Sequence, residues 1–468
     1  MTFTHRLFTA GLSTLSVLAL STTFATATAV ASPTTTDTAP GVPPSLAATD
    51  PTIGAPADDP FYTPPASIPA APGSLIRDQF APHLLAGFDQ EDAPARADKI
   101  LYTSTAQDGS PVATSGFVME PARPWTGEGP TPTIVFAPGT RGAGDYCAPS
   151  RAGNLFASTD MAAGSINVNY EYPFYAMASA AGYRVIVTDY IGLGTPGQHT
   201  YVNHTEEAHA VLDAARAGLA FAGAAADSPV ALFGYSQGGG ATAGAAELAA
   251  SYAPELNFKG VFAGAPPANL QDVTDTVDGS MGGNVLGFAL NGALARNPEL
   301  AGLADMYFND EGKAFLAETA DQCTFTIDTS TPDLTEIDPT DPMASMMFDS
   351  RELTTDGRSF GEIIREDADL RGVLMGPDYR LGDRPVDVPM FILGGTNDDT
   401  IPYGQTRQLA ADYCASGASV TFLTDGSPAV LPGTGLGHAV PQANHTLQAL
   451  DWLGDRFTGM EAASTCGG

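Results

Sequence analysis

A serine at the centre of a glycine-rich turn is the residue of this sequence whose surroundings best suit a nucleophile. Residues 234–238 read Gly-Tyr-Ser-Gln-Gly, with Ser236 at the middle of a G-x-S-x-G pattern. An apolar run at residues 230–233 precedes the pattern, and a run rich in Ala and Gly follows it. Together they predict a strand, a sharp turn and a helix, an arrangement that presents the serine hydroxyl at the carboxyl end of a sheet. We therefore expect Ser236 to be a catalytic nucleophile rather than part of an ordinary glycine-rich turn.

A serine hydroxyl is a poor nucleophile unless a neighbouring base removes its proton. Two histidines follow Ser236 in the sequence, His438 and His445. Residues 432–438 predict a glycine-rich loop ahead of the final helix, and such a loop can bring the His438 ring over the serine. His445 falls inside the predicted helix, where the helix face sets its direction. We expect His438 to be the base and keep His445 as the alternative.

The acid that orients this histidine is predicted at residues 395–402, which follow an apolar strand at 388–393. A carboxylate at the end of that strand can accept the Nδ1–H of the histidine, fix its tautomer and stabilise the imidazolium. Asp398 and Asp399 compete for this role. We expect Asp398 to be the acid and the other aspartate to cap the loop through an Asx turn.

Two hydrogen-bond donors are needed near the oxygen that gains negative charge as the serine attacks. The N–H of Gln237, the residue after the nucleophile, is the first candidate. The second is Thr140, in the loop after the predicted strand 133–137, through its N–H and with its hydroxyl as a further candidate. A plain Gly-Thr turn is the alternative interpretation of that loop. We expect no metal and no organic cofactor, since this chemistry needs neither and the sequence has no H-E-x-x-H pattern.

Strands alternate with helices along most of the chain, which predicts a mostly parallel sheet with helices on both faces. The predicted strands are residues 100–105, 112–119, 133–137, 183–189, 230–233, 258–262, 388–393 and 420–423, and the predicted helices are 205–221, 241–251 and 442–457. Thr205 is the predicted N-cap of the first of these helices. Few strand patterns occur between 272 and 387, so we expect an inserted helical cap or lid over the carboxyl edge of the sheet.

The sequence divides into segments of different composition. Residues 1–31 predict a secretory signal peptide, with a charged start, an apolar run and the small-x-small cleavage pattern Ala-Val-Ala at 29–31. An uncleaved membrane anchor is the alternative. Residues 32–72 predict a Pro-, Ala- and Thr-rich extended leader with little core-forming content. The remaining segments are the first part of the α/β core (73–271), the cap (272–387) and the second part of the core (388–468).

Charge and cysteine content bound the function further. The chain carries 20 Lys and Arg against 53 Asp and Glu, so it repels phosphate backbones and anionic membranes, and we expect no nucleic-acid partner. No stretch after the signal peptide predicts a membrane span, and we expect a secreted monomer. Four cysteines in an exported chain predict two disulfides, with three possible connectivities. We favour Cys147–Cys323 and Cys414–Cys466, because the last two lie close together in the sequence.

The chain resembles the secretory lipase family, the lipase A-like branch of capped α/β-hydrolases, over roughly residues 75–460. Its marks are Ser236, Asp398 and His438, together with the runs at 101–105, 147–150, 189–194 and 209–213. The resemblance implies an α/β-hydrolase fold, hydrolysis of carboxylic esters, a helical cap that controls entry of the acyl chain, and two disulfides. The loop before the second oxyanion donor often opens with His-Gly in related sequences, and it reads Pro-Gly at 138–139 here.

Fold and triad do not fix which acyl group is cleaved. The leading hypothesis is an extracellular triacylglycerol lipase or carboxylesterase acting on an ester or lipid substrate. A serine peptidase or thioesterase on the same scaffold is one alternative, and a non-catalytic binding protein is another. The choice between lipase and esterase depends on the acyl groove and the cap, and the sequence leaves it open.

Overall fold

The structure, a computed structural model, describes residues 52–54, 59–87, 96–160, 165–324 and 347–467. The predicted signal peptide (1–31) lies outside the described residues. Within them, no helix combines the length and the apolar character needed to cross a bilayer.

The strands of the described residues are β1 (Thr52–Ile53), β2 (Leu75–Phe80), β3 (Ala97–Thr105), β4 (Pro111–Met119), β5 (Thr133–Ala137), β6 (Ala157–Asp160), β7 (Ser165–Val168), β8 (Arg184–Tyr190), β9 (Pro229–Tyr235), β10 (Asn257–Gly264), β11 (Met390–Gly395) and β12 (Val420–Asp425). The α-helices are α1 (Tyr172–Ala180), α2 (His204–Phe221), α3 (Gln237–Tyr252), α4 (Leu270–Val277), α5 (Asn284–Arg296), α6 (Leu303–Tyr307), α7 (Asp310–Thr319), α8 (Phe360–Glu366), α9 (Ala368–Leu374), α10 (Tyr403–Ala415) and α11 (Leu436–Phe457).

Within the described residues, nine strands form the main sheet in the order β12-β11-β10-β9-β5-β8-β4-β3-β2. The strands from β12 to β8 run parallel, and β4, β3 and β2 continue antiparallel at one edge. Helices α1 and α11 share the core on one face, while α2, α3 and α10 share the core on the other. The predicted mostly parallel sheet with helices on both faces is confirmed.

Strand β5 shows why the central strands form where they do. Ile134 and Phe136 lie in the core on one face, and Val135 and Ala137 lie in the core on the other. A strand buried on both faces needs a continuous apolar run rather than an alternating one. The sequence Thr-Ile-Val-Phe-Ala at 133–137 provides that run, and the observed strand has the predicted bounds.

All three predicted helices begin earlier than predicted, and α3 begins at Gln237 rather than at 241. Helix α2 is capped by Asn203, whose Oδ1 accepts the N–H of Glu206 at 3.0 Å, so Thr205 lies inside the helix and is not its cap. Helix α11 begins at Leu436 rather than at 442, which places His438 in its first turn instead of in a loop. Pro441 lies inside this helix, although a proline in a helix interior removes a backbone hydrogen bond.

Part of the leader predicted at 32–72 packs against the domain, although most of its residues from 63 to 72 are exposed. Phe61 and Tyr62 are buried, and the Tyr62 hydroxyl lies 3.0 Å from Oγ of Ser150. The Arg151 guanidinium lies over the Tyr62 ring at 4.0 Å. The prediction of little core-forming content is therefore wrong for this part, because two aromatic side chains are enough to bury a segment that is otherwise rich in proline.

Two disulfides join distant parts of the chain, Cys147–Cys323 and Cys414–Cys466, which is the pairing favoured from the sequence. The chain between β10 and β11 carries the helices α4 to α9, which we call the α4–α9 segment. Its residues 325–346 lie outside the described residues.

Candidate active site

Ser236 lies between the end of β9 and the start of α3, at φ 59° and ψ −124°. A non-glycine residue at positive φ is strained, and the close packing around it holds it there. An added Cβ at Gly234 would lie 2.0 Å from the Gly238 carbonyl oxygen, and one at Gly238 would lie 1.9 Å from that of Ala137. The glycines of the motif therefore allow the strand and the helix to meet closely enough to form the predicted strand–turn–helix.

Asp398 and His438 are joined by a hydrogen bond. Nδ1–H of His438 donates to Oδ2 of Asp398 at 2.8 Å, and the Asp398 side chain is buried. Its other oxygen, Oδ1, accepts the N–H groups of Thr400 and Ile401 at 2.9 and 2.8 Å. Three hydrogen-bond donors fix the orientation of the carboxylate, which in turn fixes the tautomer of the imidazole.

The other ring nitrogen of His438 is available for chemistry. Its Nε2 is buried and has no hydrogen-bond partner within the described part of the chain. Ser236 and His438 line the same cavity. The predicted nucleophile and base therefore lie on the same cavity, and with Nδ1–H donated to Asp398, Nε2 is the ring nitrogen that can accept a proton.

The two residues that competed for these roles have other partners. Asp399 accepts the N–H groups of Gly433, Gly435 and His438, each at 3.0 Å, so it caps the turn that begins α11. Nε2 of His445 lies 2.8 Å from Oδ2 of Asp425. His445 is therefore held by an acid of its own at the end of β12.

The Gln237 side chain is anchored in a buried polar network. Its Nε2 donates to Oε1 of Glu207 at 2.8 Å and to Nε2 of His199 at 2.9 Å. Burial lowers the pKa of His199, and its Nδ1–H donates to the Ile191 carbonyl, so Nε2 is free to accept. Sequence analysis missed Glu207 and His199. Two acidic residues in the first turn of α2, Glu206 and Glu207, indicate by themselves only a favourable helix start.

Thr140 lies on the same cavity wall as Ser236 and Gln237. Its Oγ1 is 2.7 Å from the Tyr201 hydroxyl, so the threonine side chain already has a partner. The loop that carries it is tied to a second segment: the Ala143 N–H donates to the Gln322 carbonyl, and the Thr324 N–H donates to the Arg141 carbonyl, both at 2.9 Å. The disulfide Cys147–Cys323 reinforces this pairing.

Glu171, which sequence analysis also missed, is hydrogen-bonded to the loop that carries Thr140. Its Oε2 accepts the Gly139 N–H at 2.9 Å, and its Oε1 lies 3.5 Å from Nε2 of Gln442 on α11. Burial raises the pKa of Glu171 to about 7, against the opposing effect of Arg141. Glu171 therefore links the loop of Thr140 to the helix of His438.

A cavity of about 660 Å³ opens beside Ser236. Its polar end includes Thr140, Tyr201, Gln237, His438 and Gln442. The remaining lining is mostly apolar, although Thr274 and Asn284 also line the cavity, and its apolar part is formed mainly by side chains of α4, α5, α8 and α9: Leu270, Val273, Val285, Leu286, Ala289, Leu290, Phe360, Ile364 and Leu374. Among the described residues, no three His, Cys, Asp or Glu side chains come together as a metal site would require.

Sequence comparisons with known proteins find related lipases. A model of the family described as secretory lipase matches residues 158–465. A protein of Mycobacterium tuberculosis described as a probable inactive lipase is 29% identical over 86% of this chain and 83% of its own length. A secreted triacylglycerol lipase of the yeast Malassezia furfur is 26% identical over 87% of this chain and 77% of its own length.

Solved structures share the fold. The closed state of lipase A from Candida antarctica superposes with a TM-score of 0.66 at 24% identity, covering 88% of each chain. A cell-wall-degrading esterase from Xanthomonas oryzae superposes with a TM-score of 0.62 at 18% identity, covering 82% of this chain and 99% of that one. At these identities the likeness supports the fold class alone.

Proposed function

The chain belongs to the secretory lipase family, as the sequence predicted, and from that premise we propose that it cleaves carboxylic esters with Ser236 as the nucleophile. Membership also agrees with the predicted extracellular localisation. It does not by itself assign activity to this chain, because one relative is described as probably inactive. The assignment of activity therefore depends on the side chains of the site.

One observation carries the proposal: the hydrogen bond between Asp398 and His438 leaves Nε2 of His438 buried and without a partner in the described part of the site, at the cavity that Ser236 lines. A buried ring nitrogen without a hydrogen-bond partner lowers the stability of the fold, and a role as general base explains why it is kept. A non-catalytic binding protein would gain nothing from it. The nucleophile, the acid and the base follow one another in the chain as Ser236, Asp398 and His438, which is the order typical of α/β-hydrolases.

The reaction then runs in two halves. His438 Nε2 takes the proton of Ser236 as Oγ attacks the ester carbonyl carbon, and the N–H groups of Gln237 and Thr140 stabilise the oxyanion. The tetrahedral intermediate collapses, the bond to the alkoxy oxygen breaks, and His438 gives its proton to the departing alcohol. Water, deprotonated by His438, attacks the acyl-enzyme and releases the carboxylic acid and free Ser236.

The apolar part of the cavity supports an acyl chain of medium to long length, with triacylglycerols among the substrates. Its size is that of a site for a drug-sized or lipid-like ligand rather than for an acetyl group. We propose that the α4–α9 segment is the cap predicted at 272–387 and that it forms the acyl site. A peptidase or thioesterase would share the triad, but no charged group for a peptide amine lies among the residues that line the cavity.

The test is a series of initial rates for p-nitrophenyl esters from acetate to palmitate, with Ser236→Ala as the control. Each methylene buried in the cavity contributes up to about 0.8 kcal/mol, or about fourfold in kcat/KM, until the apolar wall is filled. We expect the rate to rise with chain length and then to level, and Ser236→Ala to abolish it. A maximum at acetate would contradict the acyl site. Absence of turnover dependent on Ser236 at every length, together with failure of a serine-directed phosphonate to label Ser236, would contradict the hydrolase.

A further inference from the structure

Glu207 is a buried carboxylate next to the residue that follows the nucleophile. It belongs to the first turn of α2, and its side chain is 1% exposed. The neighbouring Glu206 is also buried but faces an arginine, since Nε of Arg296 lies 2.7 Å from its Oε1. Removing a carboxylate from water is costly unless hydrogen bonds and charge compensate for it. The partners of Glu207 therefore indicate what its burial achieves.

One oxygen of Glu207 fixes the side chain of Gln237. Its Oε1 accepts one proton of Nε2 of Gln237 at 2.8 Å, and the second proton of that nitrogen goes to Nε2 of His199 at 2.9 Å. Both partners accept here, because the Nδ1–H of His199 donates to the Ile191 carbonyl. A reversed amide would place its oxygen against two acceptors. The direction of the side chain is therefore fixed at the residue whose backbone N–H is the first expected oxyanion donor.

The same oxygen also fixes the segment that contacts Thr140. Oε1 of Glu207 accepts the N–H of Val202 at 2.9 Å. Val202 lines the cavity at φ 55°, a conformation that is strained for a β-branched residue and that its surroundings must enforce. The preceding residue is Tyr201, whose hydroxyl lies 2.7 Å from Oγ1 of Thr140. One carboxylate oxygen is therefore connected to both residues from which we expect the oxyanion donors.

The other oxygen of Glu207 lies beside a histidine that balances its charge. Oε2 is 3.3 Å from Nδ1 of His204, which is also buried, and Nε2 of that ring lies 3.0 Å from the Pro267 carbonyl oxygen. A carbonyl oxygen only accepts, so Nε2 carries a proton. The contact between Nδ1 and Oε2 is favourable only if a second proton lies between them, which makes the pair neutral overall. A neutral pair can hold Gln237 without opposing the negative charge that forms on the substrate oxygen.

We propose that Glu207 is a positioning residue that aligns the oxyanion donors of Gln237 and Thr140 with each other. The proposal rests on the function proposed above and adds to it a residue that is not among those lining the cavity. Oxyanion donors act mainly on charge that develops in the transition state, so their displacement lowers kcat more than it raises KM. Misplacement by about 1 Å can cost about a hundredfold in rate.

Glu207→Leu tests the proposal, with Glu206→Leu as the matched control. Both variants remove a buried carboxylate from the same turn of α2, but of the two glutamates it is Glu207 that bonds to Gln237 and Val202. We expect Glu207→Leu to lower kcat on dissolved p-nitrophenyl butyrate by about tenfold to hundredfold with KM nearly unchanged, and Glu206→Leu to keep kcat near the wild-type value. Glu207→Gln keeps an acceptor at Oε1 and offers an N–H to His204, so it should restore kcat to near the wild-type value. Active-site titration with a serine-directed phosphonate corrects each rate for the folded fraction.

Gln237→Met examines the same bond from its other end and decides the question if Glu207→Leu does not fold. Methionine has the length of glutamine and keeps the backbone N–H, but its side chain cannot donate to Glu207. We expect kcat to fall by about tenfold. A trifluoromethyl ketone, which Ser236 attacks to form a hemiketal oxyanion while His438 takes the proton, should bind more weakly by the same factor as kcat/KM falls. A general loss of stability would not change the affinity of the folded fraction for this ketone.

Other results would overturn the proposal. Equal loss of kcat in Glu207→Leu and Glu206→Leu, after correction by titration, would attribute the effect to the packing of α2. Wild-type kcat in Gln237→Met would show that the anchored side chain does not position the donor. A rise in KM alone in Glu207→Leu would assign the carboxylate to the cavity wall through Val202. A wild type without turnover dependent on Ser236 would overturn the proposed function as well, whereas an active wild type with unchanged variants would overturn this proposal alone.

Discussion

The backbone N–H of His438 donates to Oδ1 of Asp399 at 3.0 Å, while its ring donates to the adjacent Asp398. Two neighbouring aspartates thus hold different parts of one histidine in place. Asp398 orients the ring, and Asp399 fixes the turn from which the ring projects. The backbone bonds of Asp399 to Gly433 and Gly435 extend its effect to the turn that precedes α11.

Replacement of Asp399 by alanine should therefore reduce catalysis without removing a triad member. Three N–H groups lose their acceptor, which should cost about 2–4 kcal/mol of unfolding free energy. Displacement of His438 should lower kcat by about tenfold to hundredfold, with little change in KM. Asp398→Asn should lower kcat by about 10⁴-fold, as expected for loss of the correct tautomer. Kinetics on a dissolved ester measure the changes in kcat, and urea unfolding measures the change in unfolding free energy.

The control for Asp399→Ala is Asn309→Ala, which removes the N-cap of α7 and its bond from the Gly312 N–H. It should lower stability and leave kcat unchanged. If the two variants lose kcat equally, a general loss of stability explains the effect, and Asp399 has no positioning role.

Thr140→Val distinguishes the two candidate oxyanion donors of Thr140, its backbone N–H and its hydroxyl, because it removes only the hydroxyl. Because the hydroxyl is paired with Tyr201, we expect the backbone N–H to be the oxyanion donor. The valine variant keeps the N–H and the shape of the side chain, so kcat should fall by less than about tenfold. Loss of a true oxyanion donor costs about 10²–10³ in kcat. A loss of that size in Thr140→Val would instead assign the role to the hydroxyl.

Glu171 should make stability depend on pH. Its folded-state pKa is raised from the ordinary 4.5 to about 7 by burial, so between these values the folded protein keeps a proton that the unfolded chain has lost. Stability must then fall as pH rises from 4.5 to about 7, by about 3 kcal/mol, and level above that. Glu171→Gln keeps an acceptor for the Gly139 N–H but does not titrate.

We therefore expect the difference in unfolding free energy between Glu171→Gln and wild type to shift in favour of the variant as the pH rises from 5 to 8. Urea unfolding at the two pH values measures the difference between the two proteins. The same difference at both values would show that the carboxyl group does not titrate in this range. The groups that oppose its protonation are Arg141, Gly139, Tyr175 and Gln442.

Local patterns predicted the parts of the fold that depend on local sequence. The run at 133–137 and the glycines around Ser236 contain within themselves the reasons for a buried strand and a tight turn. The start of α11 was missed because the Asp399 carboxylate, which accepts an N–H of its first turn, lies 39 residues earlier in the chain. Burial of Phe61 and the roles of Glu171 likewise depend on residues that only the folded chain brings together.

The disulfide Cys147–Cys323 should matter for catalysis as well as for stability. It reinforces the pairing of the Thr140 loop with residues 322–324, whereas Cys414–Cys466 joins α10 to the C-terminal segment. Replacement of either pair by alanine should cost about 2–5 kcal/mol of unfolding free energy. Only Cys147→Ala/Cys323→Ala should also lower kcat, by about tenfold, because it loosens the loop that carries an oxyanion donor. Thermal unfolding and kinetics on a dissolved ester compare the two double variants. Equal kcat in both would mean that backbone pairing alone holds the loop, and that the disulfide acts only on stability.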